Sequence, residues 1–174
     1  MRVFIGIPPT EEIRDKASKI IEKFKMKGVK TVKPENLHWT VKFLGEIGEK
    51  ELEEVKKKMD KIKGEDLEIE VTGIGTFPSS SRIRVIWIGV GEGNKEFTEF
   101  IRNINKMFGS DEKLKPHLTI GRVKFVSDRE KLIKTVEKFK DVNLGKMKVK
   151  KIVLYKSELT PQGPIYTEIK KVEW

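Results

Sequence analysis

The 174-residue sequence contains no cysteine, which excludes disulfides, a thiolate nucleophile and zinc sites built on cysteine. It also lacks any apolar run near the ~18–20 residues that a membrane-spanning helix needs. The apolar stretch at residues 3–7 is too short for a signal peptide. We therefore expect a cytoplasmic protein with no membrane partner. The length suits one domain with a sizeable core.

Acidic residues are in the minority: the chain has 37 Lys and Arg but 27 Asp and Glu, which gives a net charge of +10. Such an excess favours a polyanionic partner, and nucleic acid above all. Many lysines, however, alternate with glutamate on predicted helix faces, as in residues 49–58. Together with the single glutamine, Gln162, this composition is also typical of hyperthermophiles. Thermal adaptation is therefore an equal alternative as the main cause of the high charge content, but it does not by itself explain the positive excess.

Histidine is scarce too: the chain has two, and both begin the same four-residue pattern, His-x-Thr followed by an apolar residue. His38 begins His-Trp-Thr-Val and His117 begins His-Leu-Thr-Ile. In a β-strand, residues i and i+2 point to the same face, so each copy presents an imidazole beside a hydroxyl. The alternate residues form an apolar anchor on the other face: Trp39, Val41, Leu118 and Ile120. A single histidine in a strand is more often structural, but the repeated frame favours a two-histidine active site.

The remaining pattern predicts strands and helices in alternation. Predicted strands cover residues 2–7, 29–33, 37–44, 67–71, 83–90, 117–125, 148–155 and 165–174, with a bend and loop at 73–81. Predicted helices run from the cap at Thr10 to Gly28, over 49–63, through 97–108, and from the cap at Ser127-Asp128 through Phe139. This order predicts an α+β fold with antiparallel or mixed sheets and helices on their outer faces.

Each histidine strand precedes a helix of similar length, which suggests an internal duplication. We therefore expect one two-lobed domain over residues 1–174, with pseudo-twofold symmetry. If the lobes face each other, the two histidine motifs meet across a central cleft.

Two imidazoles, one neutral and one protonated, supply a general base and a general acid, because their ordinary pKa is ~6.5. Hydroxyls beside them can bind non-bridging oxygens. In-line displacement at phosphorus needs such groups on opposite sides of the reacting centre. A metal is the weaker alternative, since the two strands offer no nearby carboxylate ligand. We expect neither a metal nor another cofactor.

Four segments of the chain closely resemble the two-histidine phosphoesterase superfamily: residues 2–5, 34–45, 117–122 and 154–166. Within it, the chain is similar to the RNA 2′,3′-cyclic phosphodiesterases, long named 2′-5′ RNA ligases, over essentially its whole length. The resemblance implies two lobes around a V-shaped, positively lined cleft. It also implies metal-free hydrolysis of an RNA 2′,3′-cyclic phosphate end to a 2′-phosphate.

The resemblance assigns roles to the motif residues. It makes His38 the proton donor and His117 the proton acceptor, and it makes Thr40 and Thr119 the holders of the phosphate oxygens. Arg122 is a further candidate for phosphate binding, although regular alternation would put it on the opposite face from His117, where a surface arginine is the equal alternative.

The other candidates for substrate binding can also have a purely structural role. Phe43 and Tyr155 can stack on a base, or they can belong to the core. Arg82-Ile83-Arg84 can contact backbone phosphates, or it can form the solvent face of an edge strand.

Three other functions stay open at this point. The first is the ligase direction, which joins a cyclic phosphate to a 5′-hydroxyl through the same transition state. The second is a nucleotide- or RNA-binding module without turnover, against which the intact motifs argue. The third is a small-molecule cyclic phosphodiesterase, for which a net charge of +10 gives no reason. We expect a monomer whose partner is RNA with a 2′,3′-cyclic phosphate end.

Overall fold

The computed structural model describes residues 1–111 and 114–174. The described residues form nine strands, four α-helices and one short 3-10 turn. The strands are β1 (Arg2–Ile7), β2 (Val29–Thr31), β3 (Trp39–Glu46), β4 (Glu68–Pro78), β5 (Ile83–Val90), β6 (Leu118–Val123), β7 (Asn143–Lys148), β8 (Lys151–Thr160) and β9 (Gly163–Glu173). The helices are α1 (Glu11–Lys23), α2 (Glu49–Met59), α3 (Asn94–Met107) and α4 (Arg129–Phe139), and the 3-10 turn is Pro34–Asn36.

Two of the helices begin where the sequence offers a side-chain cap. Thr10 accepts a hydrogen bond from the backbone N–H of Ile13 at 3.4 Å, and Asp128 accepts one from Lys131 at 3.0 Å. Such caps satisfy backbone donors that a helix leaves unpaired at its start. One apolar face of each of the four helices then packs into the common core.

The strands form one curled sheet in the order β7-β4-β5-β6-β3-β1-β8-β9, with β2 paired to β6. All of the strand pairs within the described residues are antiparallel. The order has a twofold pattern, because β6, β5, β4 and β7 on one side correspond to β3, β1, β8 and β9 on the other. We call the first group the His117 lobe and the second group the His38 lobe.

The two lobes meet at a narrow seam between β3 and β6. In the described part of the chain, the ladder across this seam consists of the single pair Trp39 and Leu118. Both residues are fully buried, and the Trp39 ring meets Phe97 of α3 edge-on at 5.8 Å between ring centroids. Side-chain packing, rather than a long ladder, therefore joins the halves of the sheet.

The α+β prediction is confirmed, and of the two predicted sheet arrangements, antiparallel or mixed, the described strands form the antiparallel one. Three details of the predicted elements are wrong. Gly73, Gly75 and Pro78, predicted in a bend and loop, lie within β4. The predicted strand 148–155 corresponds to the end of β7 and the first half of β8, and α2 ends at Met59 rather than at 63. No helix within the described ranges is long and apolar enough to cross a membrane.

Candidate active site

The seam brings the two histidine motifs together. Trp39 pairs with Leu118 in antiparallel register, so His38 lies opposite Thr119 and Thr40 lies opposite His117. These four side chains are half-buried, whereas their alternate neighbours Trp39, Val41, Leu118 and Ile120 are completely buried. The predicted apolar anchor is confirmed, and the polar face of both strands forms the floor of the cleft.

Both imidazoles are oriented in the same way. His38 Nδ1 lies 2.7 Å from the carbonyl oxygen of Asn36, and His117 Nδ1 lies 2.9 Å from that of Lys115. A carbonyl oxygen can only accept, so each Nδ1 carries its hydrogen and donates it. The Nε2 atom of each ring is therefore the one left for proton transfer. In His38 it lies 3.1 Å from the Thr40 hydroxyl.

A bulge follows each threonine at the equivalent position. Against β1, Thr40 pairs with Gly6 and Lys42 pairs with Ile5, so Val41 is the extra residue. Against β5, Thr119 pairs with Trp87 and Gly121 with Ile86, so Ile120 is the extra residue. An extra residue leaves a carbonyl outside the ladder.

Both bulge carbonyls find donors elsewhere. The Val41 oxygen accepts a hydrogen bond from Asn105 Nδ2 of α3 at 2.8 Å. The Ile120 oxygen accepts one from the backbone N–H of Val32 at 2.9 Å. Because buried backbone groups need partners, these two contacts hold the bulges in place.

The bulges move the third residue after each threonine onto the cleft face. Phe43 is 67% exposed there and lies 6.0 Å from the Phe4 ring. Arg122 is exposed, and its positive charge acts on two groups of the cleft face. Burial lowers the pKa of His38 and Arg122 adds to that effect, whereas burial raises the pKa of Tyr166 and Arg122 opposes the rise. The expectation from regular alternation, which put Arg122 on the opposite face from His117, is therefore wrong. The core alternative for Phe43 is wrong as well.

An aromatic cluster surrounds His38. The Phe4 ring lies 4.7 Å from the imidazole, and the Tyr166 ring meets it edge-on at 5.4 Å. Tyr155 stacks on Phe4 at 5.1 Å. Gly6 leaves room for this arrangement, because a Cβ there would lie 3.2 Å from His38 Cδ2.

This enclosure lowers the pKa of His38. Burial is the largest cause, and the positive charges of Arg122 and His117 act in the same direction, against the hydrogen bond to Asn36. Burial also raises the pKa of Tyr155 to about 12, so its hydroxyl stays protonated at neutral pH.

Asn36 ties His38 to the β8–β9 hairpin. Its side chain is buried and donates to the Pro164 carbonyl at 3.0 Å, while its own carbonyl accepts from His38. The same short turn is held on its other side by Arg14 of α1, whose Nε donates to the Pro34 oxygen at 3.2 Å. The hairpin that carries Tyr155 and Tyr166 and the carbonyl that orients His38 are thus one connected unit.

The surroundings of His117 are different in character. Phe77 meets its ring edge-on at 5.0 Å, and Trp87 lies 6.2 Å away. Lys115 Nζ sits 4.8 Å from the centroid of the Trp87 ring. The site is therefore asymmetric, with an enclosed aromatic side at His38 and a more cationic side at His117.

Sequence reasoning did not identify several residues that shape the site: Phe4, Gly6, Asn36, Phe77, Trp87, Asn105 and Tyr166. Gly6 carries a signal, since glycine inside an apolar strand often marks a close approach. The others look like ordinary core, turn or strand residues, and only the register places them. In the described parts of the chain, no three His, Asp or Glu side chains come together as a metal-binding group.

Comparison with known proteins gives consistent matches over the whole chain. The family model described as LigT-like phosphoesterase matches residues 7–87 and again residues 88–166, with one histidine motif in each segment. The RNA 2′,3′-cyclic phosphodiesterase of Methanocaldococcus jannaschii is 48% identical over 179 aligned residues, covering 100% of both chains. The protein of the same name from Methanothermobacter thermautotrophicus is 39% identical, covering 97% of this chain and 96% of the relative.

Solved structures share the fold. A protein from Thermus thermophilus matches with a TM-score of 0.80 and 28% identity, covering 99% of this chain and 97% of that one. Escherichia coli LigT complexed with 3′-AMP matches with a TM-score of 0.78, covering 99% and 96% of the two chains. Its identity to this chain is 20%, so this likeness concerns the fold alone.

Proposed function

The chain belongs to the LigT-like phosphoesterase family, and on that premise we propose that it hydrolyses RNA 2′,3′-cyclic phosphate ends to 2′-phosphates. The observation that carries the proposal is the pairing of the two His-x-Thr motifs across the seam, each imidazole with Nδ1 fixed on a carbonyl and Nε2 left for proton transfer. Relatives at 35–48% identity that bear the name of this activity support the choice of substrate.

In the proposed reaction, His117 Nε2 accepts a proton from water while the water oxygen attacks phosphorus. The bond from phosphorus to the 3′ oxygen breaks, and His38 donates its Nε2 proton to that oxygen. The product carries a 3′-hydroxyl and a 2′-phosphate, and exchange of protons with solvent restores both rings. Attack and departure in line explain why the acid and the base belong on opposite sides.

The other residues of the cleft bind the substrate. The hydroxyls of Thr40 and Thr119 donate to non-bridging phosphate oxygens, and Arg122 balances the negative charge. Phe43 and Tyr155 offer aromatic faces for the terminal base, in the cluster that already holds Phe4.

The pKa of His38 bears on its role as donor. Its surroundings favour the neutral ring in the free protein, whereas a donor must carry the proton. A bound phosphate anion beside the imidazole stabilises the charged form and opposes the effects of burial and of Arg122. We therefore propose that His38 becomes a competent acid when substrate binds.

The direct test is incubation of the protein with an oligoribonucleotide that ends in a 2′,3′-cyclic phosphate. We expect a 2′-phosphate, identified by comparison with 2′- and 3′-phosphate standards. Either His→Ala change should reduce the rate roughly 10²–10⁴-fold, the usual contribution of a general acid or base. A 3′-phosphate product, or full activity in both variants, would contradict the mechanism.

Proton transfer by two imidazoles needs no metal, so we expect full activity after EDTA treatment. Loss of activity with EDTA, followed by recovery with zinc or manganese, would replace this mechanism with a metal-assisted one. The ligase direction shares the transition state and is tested by adding an RNA with a 5′-hydroxyl to the same assay. The monomeric state and the cytoplasmic location stay predictions from the sequence.

A further inference from the structure

A basic pocket outside the cleft lies on the rim of the His117 lobe. It is a cavity of ≈ 400 Å³ between the tip of the β4–β5 hairpin and the start of α4. Its basic side chains are Arg82, Arg84 and Arg129, and its apolar ones include Val126, Leu132 and Ile133. We call it the arginine pocket.

Among the described residues, no carboxylate forms an ion pair with the three arginines. Arg14 and Arg102 have carboxylate partners, at 2.7 and 2.9 Å, whereas the arginines of the pocket have none among the residues that the structure describes. Nearby acidic groups are engaged elsewhere, because Glu130 pairs with Lys134 at 2.8 Å and Asp128 caps α4. Unpaired guanidinium groups around one cavity favour an anion with several charges.

A hydrogen bond joins the two sides of the pocket, which also has an apolar surface. Arg129 Nη2 donates to the Ser81 carbonyl at 2.8 Å, which links α4 to the hairpin tip. Val126 is 50% exposed and offers an apolar contact beside the arginines. Guanidinium groups beside an exposed apolar surface suit single-stranded nucleic acid, whose phosphates need charge and whose bases need a flat or apolar contact.

The pocket also lies close to the catalytic residues along β5, with a bulge at Arg84 between them. Trp87 pairs with Thr119 in the cleft, and Ile83 of the pocket lies four residues earlier in β5. At ~3.3 Å per residue, the two points are about 13 Å apart. Phe77, which touches the His117 ring, leads directly into the hairpin tip.

We propose that the arginine pocket binds backbone phosphates of the same RNA, a few nucleotides on the 5′ side of the cyclic phosphate. The inference rests on the proposed function, since it takes the RNA end to occupy the cleft. It assigns the Arg82-Ile83-Arg84 segment to substrate binding and makes the protein prefer oligonucleotides over mononucleotides. The edge-strand alternative for this segment stays open, because β5 pairs with β4 from Ile83 onward but with β6 only from Val85.

The test compares two substrates in two variants with equal loss of charge. One variant carries Arg82→Ala, Arg84→Ala and Arg129→Ala, all at exposed positions. The control carries three exposed lysine substitutions in and just after α2: Lys50→Ala, Lys57→Ala and Lys61→Ala. Each protein is assayed with a nucleoside 2′,3′-cyclic phosphate and with a hexanucleotide that ends in the same group.

We expect the arginine variant to hydrolyse the mononucleotide within about twofold of wild type and to raise KM for the hexanucleotide about tenfold or more. Each phosphate contact with a single strand contributes about 0.7 to the slope of log Kd against log salt. The slope for the hexanucleotide should therefore fall by about two in the arginine variant, but little in the control.

An unchanged preference for the hexanucleotide, or an equal loss on both substrates, would overturn the proposal. An equal effect of the lysine control would reduce it to general electrostatic attraction, which also overturns it. If wild type hydrolysed neither substrate, the proposed function would fail separately. Fluorescence anisotropy with a labelled hexanucleotide would then still test the pocket, and equal affinity of wild type and the arginine variant would refute it.

Discussion

Replacement of Asn105 by leucine tests whether the bulge in β3 is held from outside the sheet. Asn105 is 1% exposed in α3, and its Nδ2 donates to the carbonyls of Val41 at 2.8 Å and Ile101 at 3.0 Å. Leucine fills a similar volume but donates nothing. The substitution therefore leaves the Val41 oxygen without that donor inside an apolar core.

The cost follows from which carbonyl loses its partner. Ile101 precedes Asn105 by four residues, so its oxygen keeps the helix's own hydrogen bond and loses little. The buried Val41 oxygen loses the donor outside the ladder, and an unpaired buried polar group costs about 1–3 kcal/mol. We expect the free energy of unfolding to fall by that amount, a large share of the ~5–15 kcal/mol typical of a domain.

Activity should fall as well, because Thr40 and Phe43 flank the bulge. A shift of about 1 Å in such groups can cost up to 10²-fold in rate, so we expect kcat to fall about 10- to 100-fold. The control is Thr98→Val, which removes the hydrogen bond of another buried side chain of α3, 3.2 Å long and made to Asn94 within the helix. Urea unfolding and steady-state kinetics measure both effects. An Asn105→Leu variant with stability within about 0.5 kcal/mol of wild type and unchanged kcat would refute the reasoning.

Three further predictions concern the catalytic groups and their surroundings. In a cyclic substrate with sulfur at the bridging 3′ position, the sulfur leaves phosphorus as a thiolate and needs no proton. This substrate should therefore restore much of the activity of His38→Ala. Rescue of His117→Ala instead would mean that the two histidines have the reverse roles. Arg122→Gln removes a positive charge that lowers the pKa of His38, so the optimum of kcat/KM against pH should move to higher pH, while Arg122→Lys should keep it; an unmoved optimum in the glutamine variant would count against this coupling. Gly75→Ala places a Cβ against the Trp87 ring and should cost about 1–3 kcal/mol of stability; a wild-type urea midpoint would show that the ring is free to move.

The sequence was sufficient for the central part of the site. The repeated His-x-Thr frame predicted that His38 and His117 share a face with their threonines, and the fully buried Trp39 and Leu118 confirm the alternation. Strand alternation is a property of local geometry, so it can be read from residue order alone. The α+β class followed in the same way from the order of the elements.

What the sequence could not supply depends on register. Arg122 was expected on the wrong face because the extra residue Ile120 is visible only against the partner strand β5. The residues at 73–81 predict a bend and a loop, whereas Gly73 adopts φ +85° at a bulge and Gly75 makes room for Trp87 within β4. Glycine in a strand can mark a bulge or a close contact as well as a turn, and the residues alone do not distinguish these cases.

The narrow seam has a consequence for how substrate range can change in this family. Within the described residues, the single pair Trp39 and Leu118 spans it, and Phe97 packs against it from α3. The volumes of these buried side chains therefore contribute to the opening angle between the lobes, together with the β2–β6 ladder. Substitutions at Trp39, Leu118 or Phe97 can widen or narrow the cleft while every polar group inside it is retained. We therefore expect relatives that act on substrates of different size to differ at these buried apolar positions.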